Sequence, residues 1–116
     1  MISSVNYEAY DVVTVPFPFT DSAHKKRRPA LVLSTSKAFN NASGHSVMAM
    51  ITSAGNAPWP LDTPIADLAV AGLPAPSVVR MKLFTLDHRF VIARIGALSG
   101  RDRKAATQAL KNLLGE

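Results

Sequence analysis

His24-Lys25-Lys26-Arg27-Arg28-Pro29-Ala30-Leu31-Val32-Leu33-Ser34 is the stretch on which the reading of this chain turns. Four consecutive cations run through a proline straight into an apolar segment. A cationic loop beside a solvated face usually means nothing beyond solubility. Here the charges are joined to a core element, which confines Arg28 to one place. A fixed arginine suits phosphate recognition, because its planar guanidinium offers a rigid fork of donors that is always charged. Proline fits the first position of a strand. The unbroken apolar run behind it predicts a central strand over Pro29 to Ser34.

Working outward, Asp11 to Val15 reads as a β-branched first strand. Pro16-Phe17-Pro18-Phe19 ends it, since each proline lacks a ladder donor and holds its predecessor extended. Thr20 to Lys26 is a polar, turn-like loop. Ser34-Thr35-Ser36 can cap a helical turn through Asn40, which Asn41 to Gly44 breaks. Ser46 to Thr52 alternates as a third strand, with Val47, Ala49 and Ile51 on one face and Met48, Met50 and Thr52 on the other. Leu61 to Ile65 is a weak strand that Pro64 confines to an edge. Ser77 to Met81 is another strand leading to Leu83 to Leu86; Asp87-His88 turns, and Arg89 to Leu98 is the last strand. Ser99 caps a helix with Asp102 three residues on. Ala106, Leu110, Leu113 and Leu114 give that helix an apolar stripe, and Gly115 stops it. The sum is mainly β: a small antiparallel β-barrel with short helices and a C-terminal helix.

At 116 residues, the whole of 1–116 reads as a single domain with one modest core. A hydrophobic share of 47% with 18% charged residues is a globular balance. The absence of cysteine removes disulfides and thiolate metal sites and fits a reducing cytoplasm. No apolar run reaches the ~20 residues that span a bilayer, and residues 1–11 lack a signal-peptide pattern. A net charge of +5 and a pI of about 10.0 suggest a polyanionic partner. Lys and Arg fall within residues 25–37 and 80–111, while residues 38–79 hold only Asp62 and Asp67 as charges. A fold that joins the two basic segments makes one positive face.

Most site chemistries find no residues here. His24, His45 and His88 are isolated, with no partner at a ligand spacing, so neither a metal nor another cofactor is expected. His24 beside the basic run can shuttle protons, though a solvated loop histidine is the commoner case. There is no phosphate-cradling glycine loop, no Gly-x-Ser-x-Gly elbow and no carboxylate pair. What remains is Arg28 at a strand mouth and Thr52-Ser53 at the end of the strand expected beside it. An RNA phosphodiester needs little machinery, because the ribose 2′-hydroxyl is itself the nucleophile. An arginine and a hydroxyl on adjacent strands hold the backbone in line and stabilise the phosphorane. On spacing alone Thr52 is an ordinary strand threonine. Lys82 is a phosphate contact or a plain surface charge, and Arg27 a second phosphate ligand or part of the solvated run. Trp59, between Pro58 and Pro60, either stacks a base or packs over the barrel end, the commoner fate of a lone tryptophan.

Asp11-Val12-Val13 followed by Arg28-Pro29-Ala30-Leu31-Val32-Leu33-Ser34 resembles the opening of MazF/PemK-type toxins of bacterial toxin–antitoxin pairs. Ile51-Thr52-Ser53, Ser77-Val78-Val79-Arg80, Lys82-Leu83-Phe84-Thr85-Leu86-Asp87 and Arg94-Ile95-Gly96-Ala97-Leu98-Ser99 continue the resemblance in one collinear order over roughly residues 10–100. The resemblance implies an SH3-like barrel that forms homodimers. It implies a metal-independent endoribonuclease (an mRNA interferase) that cuts single-stranded RNA at short sequences, leaving a 2′,3′-cyclic phosphate and a 5′-hydroxyl. It further implies a cognate antitoxin whose acidic segment covers the RNA groove. The family's essential arginine falls on Arg28 and its strand-end threonine on Thr52. The loop from Phe17 to Arg27 then borders the RNA channel. On their own chemistry, and not by the resemblance, Lys25, Lys26, Arg27, Ser53 and Lys82 are the RNA-binding candidates. Two departures stand out. Tyr10 occupies a position where the family often has glycine, and Met81-Lys82-Leu83-Phe84 replaces a Glu-Gln-Ile-Arg-like stretch, so no RNA sequence preference carries over. Two other readings compete: a gyrase-poisoning toxin of the CcdB type, against which the tail Leu113-Leu114-Gly115-Glu116 counts because it lacks an aromatic, and a barrel that binds RNA without cutting it.

Overall fold

The computed structural model describes residues 6–17 and 26–116. Within them β1 (Asp11–Phe17), β2 (Lys26–Val32), β3 (His45–Ser53), β4 (Thr63–Pro64), β5 (Ser77–Asp87) and β6 (Ala93–Ala97) make one antiparallel sheet in the order β4-β5-β3-β2-β1-β6. The sheet curls into a half-barrel, the mainly β architecture with short helices and a C-terminal helix that the sequence predicts. Alternation on β3 divides its side chains between two cores. Ala49 and Ile51 join Val12, Leu31 and Val79, whereas Met48 joins Val13, Val15, Ala30 and Val32. Burial on both faces is why these strands read as nearly continuous apolar runs.

The two edge strands, β4 and β6, are linked by a short helix instead of by pairing. After β4 the chain forms α2 (Leu68–Ala71) and lays it on β6. The approach is so close that a Cβ on Gly96 would strike the Ala71 carbonyl, and one on Gly72 (φ 75°) would strike that of Ile95. The turn between β4 and α2 is pinned by Asp102, in the first turn of α3 (Gly100–Leu113). Its carboxylate, 3% exposed, accepts from the backbone N–H groups of Ala66 (3.0 Å) and Asp67 (2.9 Å). Asp67 in turn accepts from the Ser99 hydroxyl at 2.5 Å, so the helix cap and the turn hold each other. None of the described helices is long and apolar enough to cross a membrane.

Several boundaries differ from expectation, each for a local reason. β1 runs through Pro16 to Phe17, because β6 pairs only as far as Thr14 and leaves the missing donor on an open side. β2 begins at Lys26, with Pro29 inside it, one residue outside the stretch Ala30–Val32 that pairs with β3. The helical turn capped by Thr35 is π-helical over Ser36–Asn40 and continues as α1 (Asn41–Ser43) until Gly44 turns left-handed at φ 68°. β5 is one strand of 11 residues. β6 is shorter than expected, because the Asp87 carboxylate takes the Arg89 N–H (2.9 Å) and winds His88–Phe90 into a 3₁₀ turn. On α3 the buried face is Asp102, Ala106 and Ala109, with Leu110 half-buried; Leu113 and Leu114 extend past the sheet and stay exposed. The loop segment Thr20 to Lys25 lies outside the described residues.

Tyr10 does more than shape the turn before β1. It sits at φ 73°, the left-handed region where glycine is at ease. Its hydroxyl bonds the Thr107 hydroxyl of α3, and the Arg103 guanidinium lies 5.3 Å from its ring centroid. The side chain therefore ties the start of the sheet to the last helix. On the other face of the sheet His88 bonds buried Ser46 through Nε2 (2.7 Å) and meets the Tyr7 ring edge-on at 4.9 Å. Burial lowers the His88 pKa below 6.5; nearby Asp87 opposes that shift, while His45 adds to it through its charge and opposes it through a backbone hydrogen bond.

Two outcomes follow from these contacts. Gly96→Ala forces α2 off β6 and should cost about 1–3 kcal/mol in urea unfolding, whereas Gly100→Ala, where a Cβ meets nothing, should be neutral or slightly stabilising. His88 binds its proton more weakly folded than unfolded, so stability should fall as pH drops below about 6.5, down to the lowered folded value. Urea midpoints at pH 7.5 and 5.5 should differ more for the unsubstituted protein than for His88→Gln.

Candidate functional site

The β2–β3 ladder pairs Val32 with Met48, Leu31 with Ala49 and Ala30 with Met50, and then stops. Carried two residues outward, that register sets Arg28 across from Thr52. Both line a cleft of about 210 Å³, together with Arg80 and Lys82 from β5 and Asn56 from the loop after β3. β5 reaches the cleft through an irregularity. Ala49 pairs with Leu83 but Met50 pairs with Arg80, so β5 carries two extra residues, Met81 and Lys82, at that point. A bulge of this kind re-aims side chains. Met81 packs into the core while Lys82 lines the cleft.

The cations of the cleft are not equivalent. Arg80 is held by Asp62 through two bonds, Nε to Oδ1 at 3.1 Å and a terminal nitrogen to Oδ2 at 2.9 Å, and it also donates to the Ala57 carbonyl at 2.8 Å. That guanidinium, by hydrogen bonding first and charge second, holds the Asp62 carboxyl below the usual carboxylate range. Among the described residues no carboxylate pairs with Arg28 or Lys82. Their charge faces the cleft uncompensated, which is the condition an anionic ligand needs. The Thr52 oxygen accepts from the Asn56 side-chain amide at 2.6 Å, and this leaves the hydroxyl proton to donate elsewhere.

The other sequence-expected residues are placed differently. Lys26 is exposed, two residues from Arg28 along β2 and so on the same face by alternation. Arg27 is exposed on the opposite face, across from Pro16. Ser53 accepts from the Gly55 N–H at 3.3 Å within its own turn and does not line the cleft. Lys25 and His24 lie outside the described residues. His45 bonds the Ser43 carbonyl and approaches Asp87, and among the described residues no three His, Asp or Glu side chains gather in a metal-holding group. Trp59 does not pack over the barrel end. It is 42% exposed, with the Lys82 ammonium 4.3 Å from its ring centroid and the Arg80 guanidinium at 6.0 Å.

Sequence reasoning missed Arg80, Asn56 and Asp62. One signal was available: a lone carboxylate in a charge-poor stretch, Asp62, implies a cation elsewhere in the fold to pair with. The alternation of Arg80 and Lys82 on one strand put both on one face.

The sequence matches the family of PemK-like, MazF-like toxins of type II toxin–antitoxin systems over residues 8–114. A search of curated proteins finds no match. Among solved structures, the chain is similar to a MazE–MazF crystal structure from Deinococcus radiodurans, with 26% identity, 96% of this chain and 98% of that one covered, and a TM-score of 0.74. It shares its fold with the Mycobacterium tuberculosis toxin MazF-mt6 (22% identity, 90% and 96% covered, TM-score 0.70). It shares the fold likewise with a mycobacterial endoribonuclease in complex with its cognate antitoxin (14% identity, 95% and 94% covered, TM-score 0.72). The match over nearly the whole chain, on a fold that sets Arg28 beside Thr52, places this protein in the PemK-like, MazF-like family of type II toxin–antitoxin toxins, a family of toxin ribonucleases.

Proposed function

We propose that this single-domain toxin cuts single-stranded RNA by a metal-independent transphosphorylation centred on Arg28 and Thr52. The observation that carries the reading is the pairing of an uncompensated Arg28 with Thr52 across the open end of the β2–β3 ladder. The ribose 2′-oxygen attacks the adjacent phosphorus, and the bond to the 5′-oxygen breaks. The 2′-hydroxyl loses one proton and the departing oxygen gains one, so the step consumes no water and leaves a 2′,3′-cyclic phosphate and a 5′-hydroxyl. Arg28 stabilises the doubly charged phosphorane with its fork of donors. The Thr52 hydroxyl donates to a non-bridging oxygen and orients the phosphate. Lys82 and Lys26, on the same open surface, neutralise flanking phosphates; Arg27 and Ser53 contact RNA further from the scissile bond, and Lys25 adds its charge to RNA binding. The protein acts in the cytoplasm on messenger RNA, and a cognate antitoxin silences it by laying an acidic segment into the same cationic cleft. MazE–MazF complexes among the similar structures favour such a partner.

The toxin acts as a homodimer in this reading. Leu33, Val47, Leu83, Leu110 and Leu114 line an apolar groove of about 320 Å³ where α3 leaves the sheet, with Leu83 40% and Leu114 63% exposed. A second copy covers that surface, so Leu83→Glu combined with Leu114→Glu should sediment as a monomer at concentrations where the unsubstituted chain is dimeric. A monomeric unsubstituted chain would remove the dimer from the reading.

The catalytic assignment has an asymmetric signature. Incubated in EDTA with a long single-stranded transcript, the protein should give discrete new 5′-hydroxyl ends. Arg28→Ala should lower cleavage by about 10²–10³-fold or more, with an unchanged melting curve and with RNA still bound. Lys26→Ala should instead weaken binding and reduce its salt slope by about 1. Near-normal cleavage by Arg28→Ala sinks the assignment, and retardation of RNA without cuts points to a binding module.

A further inference from the structure

We propose that Trp59 is a stacking platform that seats one nucleobase of the RNA beside the cleft and so helps to choose where the strand is cut. The proposal rests on the ribonuclease reading and adds a recognition residue to it. Four observations converge. The indole is 42% exposed, large for an aromatic ring in a folded domain. Its backbone is held in place: the Trp59 N–H donates to Asp62 Oδ2 at 3.0 Å, and the Asp62 N–H donates back to the Trp59 carbonyl at 3.1 Å. Pro58 and Pro60 restrict the chain on either side. Finally, the Lys82 ammonium sits 4.3 Å from the ring centroid while Lys82 also lines the cleft, so platform and cleft share a side chain.

Arg80 explains why the ring is steady. Its guanidinium grips Asp62 with two bonds and the Ala57 carbonyl with a third, which clamps both ends of the segment carrying Trp59 to β5. With three of its five donors engaged in this way, Arg80 braces the platform while it also lines the cleft. A ring fixed before RNA arrives loses little freedom on binding, so most of the stacking energy appears as affinity. Every base has a π-face, and an unpaired strand leaves those faces open, so a single-stranded substrate fits the platform and a duplex does not. The Lys82 ammonium lies over one part of the ring, where it also reaches the cleft that would receive the neighbouring phosphate.

The chain contains one tryptophan, so its emission reports on this position alone. The probe is a mixed-sequence 2′-O-methyl oligonucleotide, which has no free 2′-hydroxyl and cannot be cut by the proposed route. Adding it should quench Trp59 emission with the same midpoint as binding followed by fluorescence anisotropy. Trp59→Ala should weaken that binding roughly 5- to 150-fold, the equivalent of one lost stack, and should change the pattern of cuts on a long transcript. Trp59→Phe, which keeps a smaller ring, should retain most of the affinity, and melting curves of both variants establish that they are folded. Binding by anisotropy with unaltered emission, or a folded Trp59→Ala variant that binds and cuts like the unsubstituted protein, overturns the platform and leaves the ribonuclease reading standing. Quenching without cuts on the unmodified transcript upholds the platform and overturns the ribonuclease reading. No binding at all overturns both.

Discussion

The β2–β3 ladder stops at Ala30, and the function of the cleft depends on that early stop. Had the pairing continued, β3 would have filled the space beside Arg28 with backbone, and the arginine would have stood on a closed sheet. Pro29 lies one residue outside the ladder, where its lack of a donor leaves no partner wanting. On the other side β1 still pairs with β2 out to Lys26, so the outer part of the strand is held along one edge only. The result is an arginine fixed by a sheet yet open toward Thr52. Rigid backing with one free edge is the geometry that phosphate recognition by a guanidinium requires.

Charge is distributed by the same logic. Four of the seven acids of the described residues pair with arginines of the second basic segment: Asp62 with Arg80, Asp87 with Arg89, Asp11 with Arg94, and Asp67 with Arg101. These pairs brace loops and strand ends. The first basic segment has no such partner among the described residues, so Lys26 and Arg28 contribute their full positive potential to the surface. The expectation that both basic segments merge into one face therefore holds only in part. Arg80 and Lys82 join Arg28 at the cleft, and of these Arg80 is neutralised on arrival.

Legibility in the sequence followed the range of the physics involved. Strand alternation over Ser46 to Thr52 and the Ser99 cap are local rules, and both were readable. Arg28 was readable as fixed next to a proline and an apolar strand, and Thr52 as close to a strand end, although Arg28 stands inside β2, which pairs with β1 from Lys26 onward. Their facing position was not, since it depends on a register that only the fold sets. Pro16 was misjudged because a proline's tolerance in a strand depends on whether a neighbour needs its donor, and that is decided by where β6 ends. Leu113 and Leu114 have helical spacing, but the sheet beneath them ends sooner than the helix does. The bond between Asp62 and Arg80 crosses 18 positions and obeys no local rule. Trp59 could be assigned to packing or to display only once that bond placed its loop.

The strand order has a consequence for synthesis. β1 lies between β2 and β6, so the first strand made waits for the last one before its second edge is covered. The tie between Tyr10 and Thr107 spans 97 positions and closes later still. At translation rates of about 5–20 residues per second, some 80 residues separate the end of β1 from the end of β6, an interval of roughly 4–16 s. Through that interval an apolar strand with an unpaired edge is available to any other growing chain. The cleft residues, by contrast, are all made by Lys82. A growing chain thus holds every residue of its working surface before β6 and α3, the two elements that cover the open edge of β1 and tie down Tyr10, have been made.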